Sequence, residues 1–124
     1  MKIYLIEDEK SIRDTLKVYL ETLGHQVVAE MEPFMCSVYH GSNCPKEKAC
    51  ADALIIDFHL PKLNGLAFIE MLKDRGCKGV TSNVLLMSGD TSSIDRAKAE
   101  ELGCTVVQKP MRFNFVREWL ENIK

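Results

Sequence analysis

The stretch LIIDFHLPKLNG, residues 54–65, decides how the rest of the sequence is interpreted. Three large apolar residues precede Asp57 without polar alternation, a pattern typical of a strand that is buried on both faces. Pro61 and the Asn64–Gly65 pair predict the loop that ends this strand. Asp57 is therefore expected at the carboxyl end of a buried strand, where open α/β sheets bind ligands. Because an aspartate there is also a common loop residue or helix cap, its meaning depends on what ends the other strands.

The length and composition are those of an ordinary globular domain. The 124 residues are expected to form one domain, 1–124, whose core needs no disulfide or metal. The net charge of −2 is unlike a basic nucleic-acid footprint, and no apolar run reaches the roughly 20 residues of a membrane span. The apolar run at residues 3–6 meets Glu7 too early for a signal peptide. We therefore expect a cytoplasmic protein without direct nucleic-acid or membrane contact.

Strand and helix patterns alternate along the chain, which predicts a parallel sheet with helices on both faces. Apolar strands are expected at residues 3–6, 25–29, 54–57, 83–89 and 105–108. Ser92 or Ser93 is expected to cap the fourth helix and Asn114 the last. The region that should hold the second helix is the exception, because three residues break it into short pieces: Pro33, Gly41 and Pro45.

Polar side chains stand at the predicted carboxyl ends of four strands. These are Glu7 and Asp8 after strand 1, Asp57 after strand 3, Ser88 after strand 4 and Lys109 after strand 5. In a parallel sheet all these ends lie along one edge. Carboxylates suit Mg²⁺, whereas an ammonium and a hydroxyl suit phosphate oxygens. The edge is thus equipped for phosphoryl transfer to a carboxylate, although an acidic run before a helix also fits simple complementation of the helix dipole.

Taken in order, these residues resemble the receiver domains of response regulators in two-component signalling. The resemblance rests on the acid pair Glu7–Asp8, the spacing Asp57-x-x-x-Pro61-x-x-x-Gly65, Ser88 in the run LMSG, and Lys109–Pro110. It extends from Met1 to the last helix. It implies a flavodoxin-like, doubly wound (βα)5 fold with strand order 2-1-3-4-5. An irregular segment would take the place of much of helix 2.

The resemblance also implies a role for each residue. Asp57 would be the phosphoacceptor, and Mg²⁺ would be held by Glu7, Asp8, Asp57 and the backbone carbonyl of His59. Ser88 and Lys109 would bind the phosphoryl group, and Lys109 would pair with Asp57 in the resting state. The Lys109–Pro110 bond is similar to one that is often cis in the family. A histidine kinase or phosphotransfer protein would be the donor and a downstream protein the target.

Two features depart from the family pattern or leave a choice open. The position three residues before Lys109 commonly holds an aromatic residue whose rotamer reports activation, and here it is Val106. His59 and Asp90 occupy positions similar to those that tune dephosphorylation. They fit equally well as exposed loop residues.

Three of the five cysteines lie in the irregular segment. With one histidine they give the spacing C-x₃-H-x₃-C-x₅-C: Cys36, His40, Cys44 and Cys50. Soft ligands at close spacing in a reduced compartment suit a tetrahedral Zn²⁺ site, which would also staple a segment without a helix pattern. Thiols of a variable loop, a reversible disulfide and, more rarely, an iron–sulfur cluster remain open. Cys77 and Cys104 are predicted to be plain core or surface thiols.

Three functions follow from these patterns. The first is a phosphorylation-switched signalling domain that is not itself an enzyme, although it accepts a phosphoryl group and has scope to hydrolyse it. The second is an aspartyl phosphatase of the haloacid-dehalogenase type, which needs an aspartate where this sequence has His59. The third is a metal- or redox-responsive interaction module that uses Cys36, His40, Cys44 and Cys50 on the same scaffold.

Overall fold

A parallel five-stranded sheet forms the centre of the described chain. The computed structural model describes residues 1–41, 43, 45, 50–77 and 83–123. Its strands are β1 (Lys2–Ile6), β2 (Gln26–Glu30), β3 (Ala53–Asp57), β4 (Val84–Ser88) and β5 (Cys104–Gln108). Every pairing is parallel, and the spatial order is β2-β1-β3-β4-β5. The predicted doubly wound α/β fold with strand order 2-1-3-4-5 is confirmed.

Helices cover both faces of this sheet. They are α1 (Lys10–Thr22), α2 (Gly65–Asp74), α3 (Arg96–Glu101) and α4 (Phe113–Glu121). Helices α1 and α4 pack on one face through Leu16, Leu20, Val116 and Leu120. Helices α2 and α3 contribute to the core on the other face. Because β3 and β4 are buried along their whole length, the side chains that end them are held by packing on both sides.

The predicted caps of the fourth and last helices, which are α3 and α4 in the structure, are wrong. Aspartates provide the caps where serines were predicted. Asp90 accepts a hydrogen bond from the Ser92 amide and caps a short 3-10 turn, Thr91–Ser93. Asp95 caps α3 by accepting from the Lys98 amide. In the last helix, Phe113 stacks on Tyr19 with ring centroids 4.5 Å apart and is already helical, so Asn114 lies inside α4.

The described residues 31–41 form turns, as expected for the irregular segment that the sequence predicts. Two glutamates anchor this segment: Glu30 accepts hydrogen bonds from the Tyr4 hydroxyl and the Met35 amide, and Glu32 accepts one from Tyr39. Val38 is buried among the residues of the core that α2 covers. The segment therefore supplies part of the packing that a second helix would otherwise provide. Nowhere in the described residues is there a helix with the length and apolarity to cross a membrane.

Candidate functional site

The carboxyl edge of the sheet brings the predicted site residues together. Strands β1 and β3 pair in register, with Ile6 beside Ile56, so the next residues along each chain, Glu7 and Asp57, are neighbours. Glu7, Asp57 and Ser88 have at most 2% of their surface exposed, whereas Asp8 is exposed. Two carboxylates are therefore held out of water beside a third that reaches it.

Lys109 links the two buried carboxylates. Its Nζ lies 2.9 Å from Oε1 and 2.8 Å from Oε2 of Glu7, and 3.1 Å from Oδ2 of Asp57. The Lys109 amide also donates a 2.8 Å hydrogen bond to the Ser88 carbonyl, which fixes where the side chain begins. The Lys109–Pro110 peptide bond is cis, as the resemblance implies. The predicted resting contact between Lys109 and Asp57 is present.

The acidic cluster strongly affects the protonation of its members. Burial raises the pKa of Asp57 to about 7, with contributions from a hydrogen bond with Asp8 and the charge of Glu7. Burial likewise raises the pKa of Glu7. Burial alone would lower the pKa of Lys109, but the Glu7 and Asp57 carboxylates outweigh it and raise the pKa. The resting site thus holds an excess of acidic groups over the ammonium that faces them.

Glu7, Asp8 and Asp57 also form a chemically suitable cation site. One ligand atom from each lies within 4.8 Å of the others. All are hard carboxylate oxygens, and an exposed member leaves room for the waters that Mg²⁺ retains. A divalent cation would offset the charge repulsion that adds to the effect of burial on the pKa of Asp57. The residues present therefore fit Mg²⁺.

The loop after β3 orients Asp57. The His59 amide donates a 3.0 Å hydrogen bond to Oδ1 of Asp57, so both carboxylate oxygens have partners. Gly65 closes the loop by donating to the Phe58 carbonyl. A Cβ on Gly65 would lie 2.7 Å from the Asp57 carbonyl oxygen and 2.9 Å from a Leu86 methyl carbon. The spacing between Asp57 and Gly65 is thus set by close packing of the backbone.

Ser88 is held by the next loop. Its hydroxyl donates to the Asp90 carbonyl at 3.0 Å and accepts from the Asp90 amide at 3.1 Å. The Nε2 atom of His59 lies 3.5 Å from the same hydroxyl, and the His59 ring stacks on Phe58. His59 and Asp90 are therefore close to the predicted phosphoryl-binding hydroxyl. Val106 is half-buried on β5.

Two residues support the site and were missed from the sequence. Arg13 donates from Nη1 to the Glu7 carbonyl at 2.9 Å, which connects α1 to the acid pair. Gln108 bonds Thr91 and the Gly89 carbonyl, so it joins β5 to the loop that holds Ser88. The position of Gln108 directly before Lys109 was available as a signal. Nothing in the sequence distinguishes Arg13 from other polar helix residues.

The predicted cysteine site is only partly described. Cys44 lies outside the described residues. His40 directs Nε2 to the Phe34 carbonyl at 2.8 Å. Cys36 and Cys50 line a pocket together with Cys77. Among the described histidine, cysteine and acidic residues, the acid cluster at the carboxyl edge is the group that brings three ligand atoms together.

Comparisons with known proteins agree with this geometry. Residues 3–121 match the family model of the response regulator receiver domain. The alkaline phosphatase synthesis transcriptional regulatory protein SphR of Synechococcus elongatus is 30% identical over 82% of this chain and 40% of its own length. The Regulator of RpoS of Escherichia coli K12 is 30% identical over 94% of this chain and 33% of its own length. A CheY-like receiver domain from Methylobacillus flagellatus superimposes with a TM-score of 0.78 at 26% identity, covering 100% of this chain and 98% of that one.

Proposed function

The chain belongs to the family of response regulator receiver domains, and we propose that Mg²⁺-dependent phosphorylation of Asp57 switches its binding to a downstream protein. The observation that carries this proposal is the buried Asp57 carboxylate held between the His59 amide and the Lys109 ammonium. Both oxygens are fixed, so the nucleophile is oriented before the donor arrives. The donor would be a phosphohistidine of a histidine kinase or phosphotransfer protein.

In the transfer, an Asp57 oxygen attacks phosphorus while the bond from phosphorus to the histidine nitrogen breaks. The imidazole leaves with the bonding pair and takes up a proton. Lys109 offsets the negative charge of the incoming phosphoryl oxygens, because its Nζ already lies 3.1 Å from Asp57. Mg²⁺, bound by Glu7, Asp8, Asp57 and the His59 carbonyl, would supply further charge neutralisation. Deprotonated Asp57 is the reactive form, and its pKa of about 7 keeps that form accessible near neutral pH.

The switch would begin at Ser88. Its hydroxyl bonds the Asp90 backbone in the resting state and would have to leave those bonds to donate to a phosphoryl oxygen. Such a change would release the start of the loop that leads into Thr91–Ser93 and α3. Gln108 connects this loop to β5, so the displacement would be transmitted to that strand, which carries the half-buried Val106. A partner that binds the surface formed by α3 and β5 would then distinguish the phosphorylated state from the unphosphorylated one.

The chain is a receiver domain rather than a conventional enzyme, but hydrolysis of its own phosphoaspartate is part of the proposal. His59 and Asp90 flank the Ser88 hydroxyl at the open side of the site. In this place they would control how water reaches the phosphorus. We expect His59→Ala to change the lifetime of phosphorylated Asp57 at unchanged stability, and an unchanged lifetime would remove His59 from this role.

The site of action and the partners are also proposals. The chain spans 40% and 33% of the two curated relatives named above, so their whole activities do not transfer to it. A histidine kinase or phosphotransfer donor and a downstream protein are the partners that the family implies. We infer that it acts in the cytoplasm, where the thiols of its five cysteines would stay reduced.

Phosphoramidate, whose phosphorus–nitrogen bond stands in for phosphohistidine, provides the test. With Mg²⁺, intact-mass spectrometry is expected to detect one added phosphoryl group per chain, which disappears in Asp57→Asn. Asp14→Asn is the matched control, because Asp14 is exposed on α1 and pairs with Lys10. Phosphorylation that persists in Asp57→Asn would refute the acceptor. Equal loss in both variants would mean that the assay does not report a specific site.

A further inference from the structure

Gln108 is the last residue of β5, and its side chain bridges to the loop that follows β4. Its Nε2 atom donates to the Gly89 carbonyl. Its Oε1 atom accepts from the Thr91 amide at 3.3 Å and from the Thr91 hydroxyl at 3.0 Å. Gly89 and Thr91 are the residues on either side of Asp90. One side chain from the neighbouring strand therefore holds this loop at two points.

The residue between these two points is the one that holds Ser88. The Ser88 hydroxyl donates to the Asp90 carbonyl at 3.0 Å and accepts from the Asp90 amide at 3.1 Å. If this hydroxyl turned to a phosphoryl group, the Asp90 amide would lose its partner, and the loop would have to turn to satisfy it. Such a turn would displace Gly89 and Thr91, the two residues that Gln108 holds.

We propose that Gln108 is a latch that keeps residues 89–91 in this arrangement and so opposes the movement of Ser88 toward a phosphoryl group on Asp57. The proposal rests on the proposed function and adds the residue that sets how readily the switch moves. Gln108 is a positioning residue, because it acts through the loop. By holding the loop, the latch lowers the fraction of molecules whose Ser88 hydroxyl is available, and the apparent affinity for a phosphoryl group falls by the same factor.

Beryllofluoride, which mimics a phosphoryl group on an aspartate when Mg²⁺ is present, measures this opposition without covalent chemistry. The apparent dissociation constant is obtained by NMR titration. Gln108→Ala is expected to bind roughly tenfold more tightly than the wild type, a factor that corresponds to about 1.4 kcal/mol and to the loss of one or two exposed hydrogen bonds. Gln26→Ala is the matched control and should leave the affinity unchanged. Gln26 is also an exposed glutamine, but it lies on β2, the opposite edge strand of the sheet.

Thr91→Val separates the latch from another contact of Gln108, whose Nε2 also donates to the Lys109 carbonyl at 3.3 Å. The valine removes the hydroxyl bond and keeps the Lys109 contact, so a smaller gain in affinity of about threefold is expected. In the Gln108→Ala background it should add nothing, because both substitutions break the same link. A gain confined to Gln108→Ala, or two gains that multiply, would overturn the latch. If Gln108→Ala fails to fold, Thr91→Val alone decides.

Stability distinguishes a latch from a bond that merely supports the fold. Without Mg²⁺ and beryllofluoride, Gln108→Ala should have a lower melting temperature and faster hydrogen exchange at the Thr91 amide, although its affinity for beryllofluoride rises. An affinity that falls together with the melting temperature, or exchange that does not change, would overturn the proposal.

Asp57→Asn keeps the two proposals distinguishable. If the wild type and Asp57→Asn bind beryllofluoride equally, or if neither binds it, the acceptor site fails and the latch fails with it. If the wild type binds, Asp57→Asn does not, and Gln108→Ala binds no more tightly than the wild type, the acceptor stands and the latch alone is refuted.

Discussion

Two regions of this molecule differ in how their residues are held. At the carboxyl edge, Glu7, Asp57 and Ser88 extend buried strands, and Lys109 already contacts both acids. Cys36, Cys50 and Cys77 line one pocket, which we call the thiol pocket. Turns position Cys36 and Cys50 there, and the three sulfur atoms do not all lie within 4.8 Å of one another. The carboxylates of the acid site are therefore already close enough to share a cation, whereas the three sulfur atoms are not arranged around a common point.

This difference has an energetic counterpart. Preorganisation at the edge forces acidic groups together out of water, which is unfavourable until a cation or phosphoryl-transfer partner is present. The turns of residues 31–41 avoid that cost. They are tied by backbone hydrogen bonds such as Cys36 to Pro33 and by side-chain hydrogen bonds such as Tyr39 to Glu32. We expect changes at the edge to have the larger effects on stability, and to have them in a direction that depends on pH.

The largest effect is expected from Asp57→Asn without Mg²⁺ at about pH 8. The pKa of Asp57 rises on folding from 3.8 to about 7, so between these values the folded state holds a proton that the unfolded state has lost. Stability conferred by this group therefore falls as pH rises and is lowest above about 7. The neutral amide avoids this loss and should raise the free energy of unfolding by roughly 4 kcal/mol, because the rise is about three pKa units and each corresponds to about 1.36 kcal/mol.

Urea unfolding at about pH 4 and pH 8 measures this difference. The gain should vanish at the lower pH, where Asp57 is protonated in the folded state. Asp14→Asn is the control, because Asp14 is exposed and its pKa is lowered by Lys10. A variant that is destabilised at the higher pH would show that the ion pair with Lys109 fully offsets the free-energy cost of burying Asp57. The edge would then not be strained.

Gly65→Ala is expected to destabilise the protein by about 1–3 kcal/mol, the usual range for overpacking. Its Cβ would lie 2.7 Å from a backbone oxygen of Asp57, which cannot move without disturbing the acceptor. Gly89→Ala is the matched control, since a Cβ there meets nothing within 4 Å although it lies in the neighbouring loop of the same edge. Thermal unfolding compares the two. Equal effects would mean that the loop after β3 adapts, and that the edge is less rigid than its packing indicates.

The pH dependence of Mg²⁺ binding tests the same organisation with a smaller energy. Below about pH 7, binding must displace the proton held by Asp57, so the apparent affinity should fall about tenfold per pH unit. Above that value it should level off. Calorimetric titration across this range provides the measurement. A flat profile would contradict the raised pKa, and Asp57→Asn is expected to bind weakly at every pH.

How far the sequence predicts each region follows from the same contrast. The strands and the residues at their ends were predictable because apolar runs, turn residues and the parallel edge leave little choice of position for Asp57, Ser88 and Lys109. The spatial order of the strands followed from the resemblance to receiver domains. The helix caps were not, because Asp90, Asp95 and the Phe113–Tyr19 stack compete with nearby serines and Asn114 through tertiary contacts. The grouping of Cys36, Cys50 and Cys77 around one pocket was not predictable either, because linear spacing favours neighbours in the chain and α2 brings a distant thiol to the same wall.

The smallest effect is expected from Tyr39→Phe, which tests the turns of residues 31–41. It removes the 3.2 Å hydrogen bond to Glu32 but leaves the ring against Phe68, so the cost should be about 1 kcal/mol. Because the bond ties residues within the segment, hydrogen exchange should increase at residues 31–41 and not at β3. An increase in exchange that spreads to β3 would mean that the segment and the acid edge form one cooperative unit, and the contrast between them would be lost.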